Sequence, residues 1–445
     1  MKSTISFVCQ ECGYDSPAYM GKCPECGTWN SFREFKTLSR VSAKIQNGQV
    51  SVSSEAKPKT LKEIKFESKQ RIASGFSEMD VVLGGGIMIG GVTLLAGDPG
   101  IGKSTLLLQV ALNVSSGLKK DVLYVSAEES EQQIKQRAER ILGTKKDENL
   151  LLLSISNTDT ISEVIADTKP AFVIIDSIQM MESESMEGLT GSVGQVRYAA
   201  AQFIRLAKSL NIPIFIVGHV TKEGMVAGPM ILSHMVDTVL FLEGEQFTST
   251  RILRSLKNRF GPVDEVGIFI MEEGGVKEIK NPEQIFLSKN DKNAVGSSLT
   301  VTLEGTRAFL VEIQALVVFS RLPMPRRVSS GFDYKRLELL LAVLQKHLGL
   351  SLDSMDVFVN IAGGLKLSDP AADLGICLAV YSSLKNIPVW EHVGIAEVGL
   401  LGELRQVPNL EKRVREAGKL GLKKTIDARN FKTLKQAIMI LEKGK

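Results

Sequence analysis

Gly97-Asp98-Pro99-Gly100-Ile101-Gly102-Lys103-Ser104-Thr105 is the most informative stretch of this 445-residue chain. It follows a strand-like apolar run at 92–96 and precedes a helix-like run at 106–112. A glycine-rich loop between a strand and a helix is the setting in which this spacing of Gly, Lys and Ser binds phosphate, because glycines let backbone N–H groups turn towards the oxygens. The nine residues therefore predict a nucleoside triphosphate site, with Lys103 on the β- and γ-phosphates and the hydroxyl of Ser104 on Mg²⁺.

Composition and charge set broad limits on the class of protein. The chain is 44% hydrophobic and 23% charged, which is typical of a globular protein, and its length predicts two or three domains. A net charge of +4 is too small to indicate a partner by itself. The amino terminus lacks the apolar core of a signal peptide, and no apolar run approaches the roughly 18 residues of a membrane helix. We therefore expect a cytoplasmic protein with no membrane partner.

Four of the five cysteines lie within the first 26 residues, as two Cys-x2-Cys pairs separated by ten residues. The pairs are Cys9 with Cys12 and Cys23 with Cys26. In a reducing compartment this spacing favours a closed tetrahedral Zn²⁺ site with a structural or partner-binding role. A segment this short buries little core of its own, so the metal would supply most of its folding energy. A redox pair or two disulfides is the alternative.

The order of strand-like and helix-like runs indicates the domain organisation. Residues 36–65 are rich in Ser and Lys and are typical of a linker. Beyond them, continuous apolar strands alternate with helical runs, which predicts a parallel sheet covered on both faces. The predicted strands lie near 92–96, 121–126, 171–176, 214–218 and 238–243. Two more alternating runs, 251–256 and 266–271, suit an antiparallel extension, and another α/β-like region of about 150 residues follows.

Three of these strands end in polar residues that suit nucleotide chemistry. Asp176 follows four apolar residues and is predicted to hold Mg²⁺ through water, although it would also cap a following helix. Glu128 is the candidate base for the attacking water, whereas Glu129 is interpreted as the solvated start of the next helix. His219 is the candidate sensor of the γ-phosphate; a purely structural histidine is the alternative.

Two glycine-bearing loops, 183–195 and 221–233, follow strands that carry these residues. Such loops are common places for function. Nearby cations at Arg197, Arg205 and Lys222 could contact a phosphate backbone, or belong to an ordinary solvated surface.

The stretches at 74–80 and 83–87, followed by the glycine loop, resemble the start of a RecA-type recombinase core. Lys257-Asn258-Arg259-Phe260-Gly261 matches the KNRFG motif that marks the bacterial RadA (also called Sms) DNA repair family. The resemblance spans nearly the whole chain. It implies an α/β protein with an N-terminal zinc knuckle, a RecA-like P-loop ATPase core and a C-terminal Lon-protease-like α/β domain. The corresponding limits are 1–35 for the zinc module, 36–65 for the linker, 66–280 for the ATPase domain and 291–445 for the last domain.

The resemblance also implies a function. Members of this family are expected to form a homo-oligomeric ring, a hexamer, that hydrolyses ATP with Mg²⁺ and promotes branch migration in homologous recombination and DNA repair. The implied partners are single-stranded and branched DNA and a RecA-type recombinase. Lys257 and Arg259 would reach the phosphates of a neighbouring subunit like an arginine finger; an ordinary basic turn is the alternative. The two glycine-bearing loops occupy the positions of RecA's DNA-binding loops.

The C-terminal region resembles a peptidase that has lost its nucleophile. In the run Ser368-Asp369-Pro370-Ala371, the place of the catalytic serine is taken by Ala371, which has no hydroxyl to acylate. Lys412 lies near the position expected for a catalytic lysine, but the residues before it do not align with the peptidase motif. We therefore expect an ATP hydrolase that is not a peptidase. An ATP-dependent protease and a KaiC-type signalling ATPase are the competing functions.

Basic residues in this region form a candidate DNA-binding surface. They would neutralise phosphates without reading sequence, or form a solvated face. The candidates are the basic residues from position 405 onwards and the group Arg321, Arg326, Arg327, Lys335 and Arg336.

Overall fold

The computed structural model describes residues 4–9, 14–25, 27–37, 45–46, 49–50, 71–143, 149–219, 232–244, 249–263, 265–279, 286–287 and 294–443. The chain divides into two compact units. The first contains residues up to 243 together with 255–262 and 273–276, and the second contains 244–254, 263–272 and everything from 277 onwards. Most of the linker predicted at 36–65 lies outside the described residues, and the domain limits given above stay predictions.

The amino-terminal segment is a small ribbon of three antiparallel strands. Strand β1 (Thr4–Cys9) pairs with both β2 (Asp15–Ser16) and β3 (Phe32–Thr37), and the register places Cys9 opposite Phe32. A separate two-stranded pair follows, β4 (Ile45–Gln46) with β5 (Gln49–Val50).

A parallel sheet forms the centre of the first unit, as predicted. Its six parallel strands occur in the order β10-β9-β11-β12-β8-β13. Every residue of β8, β9 and β11 is buried, because helices cover both faces of such a sheet. The strands are β8 (Val92–Gly97), β9 (Val122–Ser126), β10 (Leu150–Leu153), β11 (Phe172–Asp176), β12 (Ile214–His219) and β13 (Thr238–Glu243).

The helices of this unit lie between the strands in the usual crossover arrangement. They are α1 (Ser77–Leu83), α2 (Lys103–Leu118), α3 (Glu131–Leu142), α4 (Thr158–Thr168) and α5 (Val193–Leu210). A short pair, β6 (Arg71–Ile72) and β7 (Ile87–Met88), flanks α1. Ile161 of α4 and Phe203 of α5 are fully buried in one apolar cluster with strand residues such as Val173, so helix burial against the sheet supplies this core.

Strand β14 (Thr250–Asn258) lies beside β13. The hydroxyl of Thr238, the first residue of β13, is 3.4 Å from the side-chain oxygen of Asn258, the last residue of β14. The two strands therefore run in opposite directions, and β14 ends at the amino-terminal edge of the parallel strands.

The second unit is a mixed α/β structure. The beginning of β14 pairs antiparallel with β15 (Val266–Glu272), which confirms the predicted antiparallel extension. A six-stranded sheet has the order β19-β20-β18-β17-β21-β24. Its strands are β17 (Ser297–Glu304), β18 (Arg307–Phe319), β19 (Arg327–Ser330), β20 (Met355–Ile361), β21 (His392–Ile395) and β24 (Lys424–Asp427). The remaining strands are β16 (Gly275–Glu278), grouped in part with the first unit, and the pair β22 (Glu397–Val398) and β23 (Leu404–Arg405).

Helices pack against this second sheet and complete its core. The most buried is Asp373–Lys385, whose residues from Asp373 to Ser382 are all buried. The others are Tyr334–Leu348, Leu410–Lys419 and Leu434–Lys443. No helix in the part of the chain described here is long and apolar enough to cross a membrane.

Candidate functional site

The glycine loop joins β8 to α2, as its sequence predicts. The backbone passes through Gly100 and Gly102 with φ of 75° and 108°, left-handed values that side chains rarely tolerate. A Cβ added to Gly97 would lie 2.4 Å from the carbonyl oxygen of Leu242, so the backbone approach there requires glycine. No side chain caps the first turn of α2. The N–H groups of that turn can therefore donate to phosphate oxygens, which fits the predicted nucleotide.

Lys103 is buried at this loop. Its Nζ donates to the carbonyl oxygens of Gly97 and Asp98, each at 2.9 Å. Burial lowers the pKa of Lys103 from 10.5 to about 8, although Asp176, Asp98 and Glu128 oppose the shift. The polyanionic tail of a nucleotide would favour the charged ammonium, because an opposite charge nearby raises the pKa of a lysine.

Asp176 ends β11 beside the loop and lies close to Ser104. The two side chains are hydrogen-bonded, and the buried hydroxyl of Tyr124 donates to Asp176 Oδ2 at 2.6 Å. Burial raises the pKa of Asp176, whereas the hydrogen bonds from Tyr124 and Ser104 lower it. A hydroxyl and a carboxylate are the oxygen ligands that suit Mg²⁺, so the pair fits the predicted metal site. Sequence reasoning missed Tyr124, which holds the carboxylate from behind.

Glu128 lies between the carboxyl ends of strands β11 and β12. Ser177 Oγ donates to Glu128 Oε1 at 2.5 Å, and His219 Nε2 is 3.5 Å from the same oxygen. Burial, with help from the charge of Lys103, lowers the pKa of His219. The ring is therefore neutral at neutral pH, and its Nε2 lies beside the carboxylate that is the candidate base for a water molecule.

Strand register explains why these residues meet. Asp176 is paired with Ser126 across β11 and β9, and His219 is paired with Gly97 across β12 and β8. Because all these strands are parallel, their carboxyl ends meet at one edge of the sheet. The structure thus gathers four predicted site residues there: Lys103, Glu128, Asp176 and His219.

Glu129 differs from its interpretation as a solvated helix start. Helix α3 begins at Glu131, with Ser130 and Gln133 forming a capping box at its amino terminus. Glu129 precedes this cap and forms an ion pair with Arg137, six residues after the first residue of the helix. The carboxylate is therefore a structural anchor for α3.

Lys257 and Arg259 lie at the opposite edge of the sheet. Lys257 Nζ donates to the carbonyl oxygens of Ser233 at 2.6 Å and Val236 at 2.8 Å, and Arg259 Nη1 is 3.2 Å from Asp237 Oδ1. The strand register pairs residue 238 of β13 with residue 93 of β8. Residue 93 lies four residues before the glycine loop, which is about 13 Å along a strand. The two cations are thus remote from the phosphate loop of their own chain.

The ribbon brings two of the predicted zinc ligands into one cluster. Cys9 and Cys23 are buried together against Phe32. The N–H of Cys9 donates to Tyr14 O, and the N–H of Cys23 donates to Thr28 O, each at 2.9 Å. Two thiols in one buried cluster fit a zinc ribbon. The other two predicted ligands, Cys12 and Cys26, lie outside the described residues.

The first glycine-bearing loop is held by one buried side chain. Gln195 Nε2 donates to the carbonyl oxygens of Ser183 at 3.1 Å and Met186 at 2.7 Å, while its Oε1 accepts from Ser183 N–H at 2.9 Å. Leu189 stands at the tip with 86% of its surface exposed. Arg205 is exposed on α5 and Arg197 is half-buried. Lys222, in the second loop, lies outside the described residues.

In the second unit, Ala371 is buried within a 3-10 turn, Pro370–Ala372. The buried cation near it is Arg413 and not Lys412, whose ammonium bonds the carbonyl of Thr306 on the surface. Arg413 Nη1 donates to Val301 O at 2.8 Å and pairs with Asp369, whose other oxygen accepts the N–H of Ala371 at 3.0 Å. A guanidinium stays protonated and is no general base. Sequence reasoning missed this residue.

Three members of the predicted basic group bond their own chain. Arg326 pairs with buried Asp356 at 2.8 Å, and Arg336 pairs with buried Asp373. Arg327 donates to the carbonyl oxygen of Leu352 at 2.8 Å. These guanidiniums are therefore bonded within their own chain, although Arg326 is exposed, as are Arg321 and Lys335.

Comparisons with known proteins agree with this arrangement. A family model described as an AAA domain matches residues 57–225, and one described as a rubredoxin metal binding domain matches residues 7–34. The chain is 46% identical to proteins named DNA repair protein RadA from Halalkalibacterium halodurans and Bacillus subtilis, over 96% of this chain and 92% of each relative. The protein of that name from Listeria monocytogenes is also 46% identical, over 96% of this chain and 93% of its own.

Among solved structures, one described as an ATPase domain superposes with a TM-score of 0.42 at 17% identity. The superposition covers 48% of this chain and 92% of that chain, and a likeness of this size carries no argument. The sequence matches over nearly the full length confirm the fold class, a zinc ribbon, a RecA-like ATPase core and a C-terminal α/β domain, and are consistent with the predicted likeness of that last domain to Lon.

Proposed function

Because this chain belongs to the RadA family of DNA repair proteins, we propose that it is a DNA-dependent ATPase motor of the helicase type that drives branch migration of recombination intermediates. The observation that supports this most is the meeting of Lys103, Asp176, Glu128 and His219 at one edge of the parallel sheet. That arrangement supplies groups to hold the phosphates, to hold Mg²⁺ and to activate the attacking water.

Each group has a separate task in hydrolysis. Lys103 and the N–H groups of the loop hold the β- and γ-phosphates. Ser104 and, through water, Asp176 would hold Mg²⁺, which would supply positive charge to the phosphate oxygens. Glu128 accepts a proton from the attacking water, and the Ser177 hydroxyl, 2.5 Å from Glu128, keeps the carboxylate oriented.

DNA would bind at the glycine-bearing loops. The described loop carries Glu184 and Glu187 and no basic residue, so it repels phosphates. Its exposed apolar tip, Leu189, suits contact with unpaired bases. Phosphate contacts must then come from cations outside the loop, among which Arg205 is exposed and Arg197 and Lys222 stay candidates.

A homo-oligomeric ring, for which we propose six subunits, would complete the site. Lys257 and Arg259 are too far from their own phosphate loop to act on it, so an effect on phosphate would have to reach a neighbouring subunit. Arg259 is better placed for this role, since 53% of its side chain is exposed whereas Lys257 is held by backbone carbonyls.

The other proposed properties rest on family membership. We propose a RecA-type recombinase as the protein partner, and the cytoplasm as the place of action. We also propose that the second unit is not a peptidase, because Ala371 has no hydroxyl and Arg413 is unable to act as a base.

The decisive experiment measures ATP hydrolysis with and without single-stranded DNA, at low and moderate salt. We expect strong stimulation that weakens with salt, because phosphate contacts release counterions. Lys103→Ala should abolish hydrolysis, and Lys120→Ala, an exposed lysine just beyond α2, is the matched control. Hydrolysis that ignores DNA would contradict the proposal.

A second experiment tests the motor itself. A synthetic three-strand intermediate with a movable junction should be resolved in the presence of ATP and not of a non-hydrolysable analogue. If movement is equally fast with the analogue, hydrolysis does not drive it.

A further inference from the structure

Gln179 occupies a position between the nucleotide site and the loop at 183–192. It lies in the 3-10 turn Ile178–Met180, which follows directly after Asp176 and Ser177. Its side-chain Nε2 donates to the backbone carbonyl oxygen of His219 at 3.3 Å. This bond reaches from the end of β11 to the end of the neighbouring strand β12.

Two polar atoms at this contact are buried without a hydrogen bond in the described part of the chain. They are Oε1 of Gln179 and Nδ1 of His219. A buried polar group left without a partner costs free energy of folding, so such groups are rare. A pair of them at one contact is poorly explained by stability and points to an arrangement that changes during the functional cycle.

On the nucleotide side, the contact is linked to the candidate base. The backbone carbonyl oxygen of His219 accepts the hydrogen bond from Gln179, and Nε2 of its ring lies 3.5 Å from Glu128 Oε1. Ser177, two residues before Gln179, bonds the same carboxylate oxygen of Glu128. A shift of Glu128 or His219 when the γ-phosphate is bound or lost would therefore displace the turn 178–180.

On the side away from the nucleotide site, the turn leads into a loop whose backbone is held together by hydrogen bonds. Residues 183–192 follow the turn after two residues, and Gln195 holds the backbone of Ser183 and Met186 with three hydrogen bonds. The loop also closes on itself, because Ser192 N–H donates to Leu189 O at 3.0 Å. A displacement at its base is thus carried to the exposed tip.

We propose that Gln179 is the positioning residue that couples the nucleotide site to the loop at 183–192, so that DNA held by the loop accelerates hydrolysis. The inference rests on the proposed function, in which that loop contacts DNA. Coupling is reciprocal: if DNA at the loop favours one position of His219, a nucleotide that favours the same position tightens DNA binding by the same factor. Couplings of this kind are typically about 5-fold to 150-fold.

The test uses the full chain with Gln179→Met, which keeps the length of the side chain and removes its donor. We expect the ratio of the DNA-stimulated rate to the DNA-free rate to fall towards one, while the KM for ATP moves by less than about twofold. The gain in affinity for single-stranded DNA caused by a non-hydrolysable ATP analogue should disappear as well. Gln136→Met is the control, because Gln136 is exposed on α3 and should keep the wild-type ratio.

The outcomes separate this inference from the proposed function. A wild-type ratio in Gln179→Met, with DNA stimulation intact in the unmodified protein, overturns the coupling role and leaves the DNA motor standing. An unmodified protein that ignores DNA overturns both. A purely structural role would instead lower the DNA-free and the stimulated rates together.

A measurement on the unmodified protein covers the case in which the variant fails to fold. Hydrogen exchange of residues 183–192 should change when the ATP analogue binds. Identical exchange with and without the analogue would overturn the coupling role.

Discussion

Replacing Arg413 by alanine should destabilise the second unit strongly. Only 2% of this residue is exposed. Its guanidinium pairs with Asp369 and donates to the carbonyl oxygens of Val301 at 2.8 Å and Pro408 at 3.1 Å. The substitution therefore removes one partner of a buried ion pair and leaves two carbonyl groups without their donor.

The size of the effect depends on the interactions that Asp369 keeps after the substitution. Removing one partner of a buried pair costs about 3–5 kcal/mol, because the other charge is left uncompensated. Asp369 keeps the N–H groups of Leu303 at 2.9 Å and Ala371 at 3.0 Å, and 12% of its side chain is exposed. We therefore expect a loss near the lower limit, about 3 kcal/mol. With a urea dependence of about 2 kcal/mol per molar, the unfolding midpoint should fall by about 1.5 M.

The chain contains a suitable reporter. It has two tryptophans, Trp29 and Trp390, and Trp390 packs against the apolar cluster that contains Ala371 and Leu410. In a Trp29→Phe background, the fluorescence of Trp390 during urea unfolding of the full chain reports on the second unit.

Arg415→Ala provides the control for this measurement. Arg415 is exposed on the same helix, so its loss should change the free energy of unfolding by no more than about 0.5 kcal/mol. If Arg413→Ala shifts the midpoint no more than Arg415→Ala does, the buried pair does not hold this unit together.

Three further predictions concern the chemistry of the two units. Tyr124→Phe removes the donor that holds Asp176, and should raise the Mg²⁺ concentration needed for half-maximal hydrolysis by about tenfold or more; an unchanged Mg²⁺ titration would count against this role. Ala371→Ser should not create a peptidase, because the buried cation near residue 371 is the guanidinium of Arg413, which is no general base, and ATP-dependent degradation of casein by the variant would show the opposite. Burial lowers the pKa of His219, so at saturating ATP the rate of hydrolysis should be steady from about pH 7 to 6.5 and fall only at lower pH, where the ring becomes charged; a fall already complete at pH 6.5 would contradict the neutral ring.

Much of the nucleotide site could be predicted because its signals are local. The glycine loop is a continuous stretch, and Glu128, Asp176 and His219 each end an apolar run. Once the strands are parallel, their ends meet at one edge, so three separate stretches predict one site.

The supporting residues had no local signal. Tyr124 lies inside a buried strand and contacts a carboxylate 52 positions away, and Ser177 contacts one 49 positions away. Gln179 has only the backbone of a distant strand as its partner. Arg413 lies in a charged helix beside Lys412, and only the packing of that helix shows which of the two cations is buried.

The sequence by itself determined the phosphate loop, the alternation of strands and helices, and the spacing of the thiols, because each depends on residues close together along the chain. Tertiary structure alone decided which cations are bonded within their own chain. Lys257, Arg326 and Arg336 have the same charge as exposed basic residues, yet each bonds a carbonyl or a buried carboxylate of its own chain. A cation's partner is set by distance in space, and that distance exists only once the strands have paired and the helices have packed.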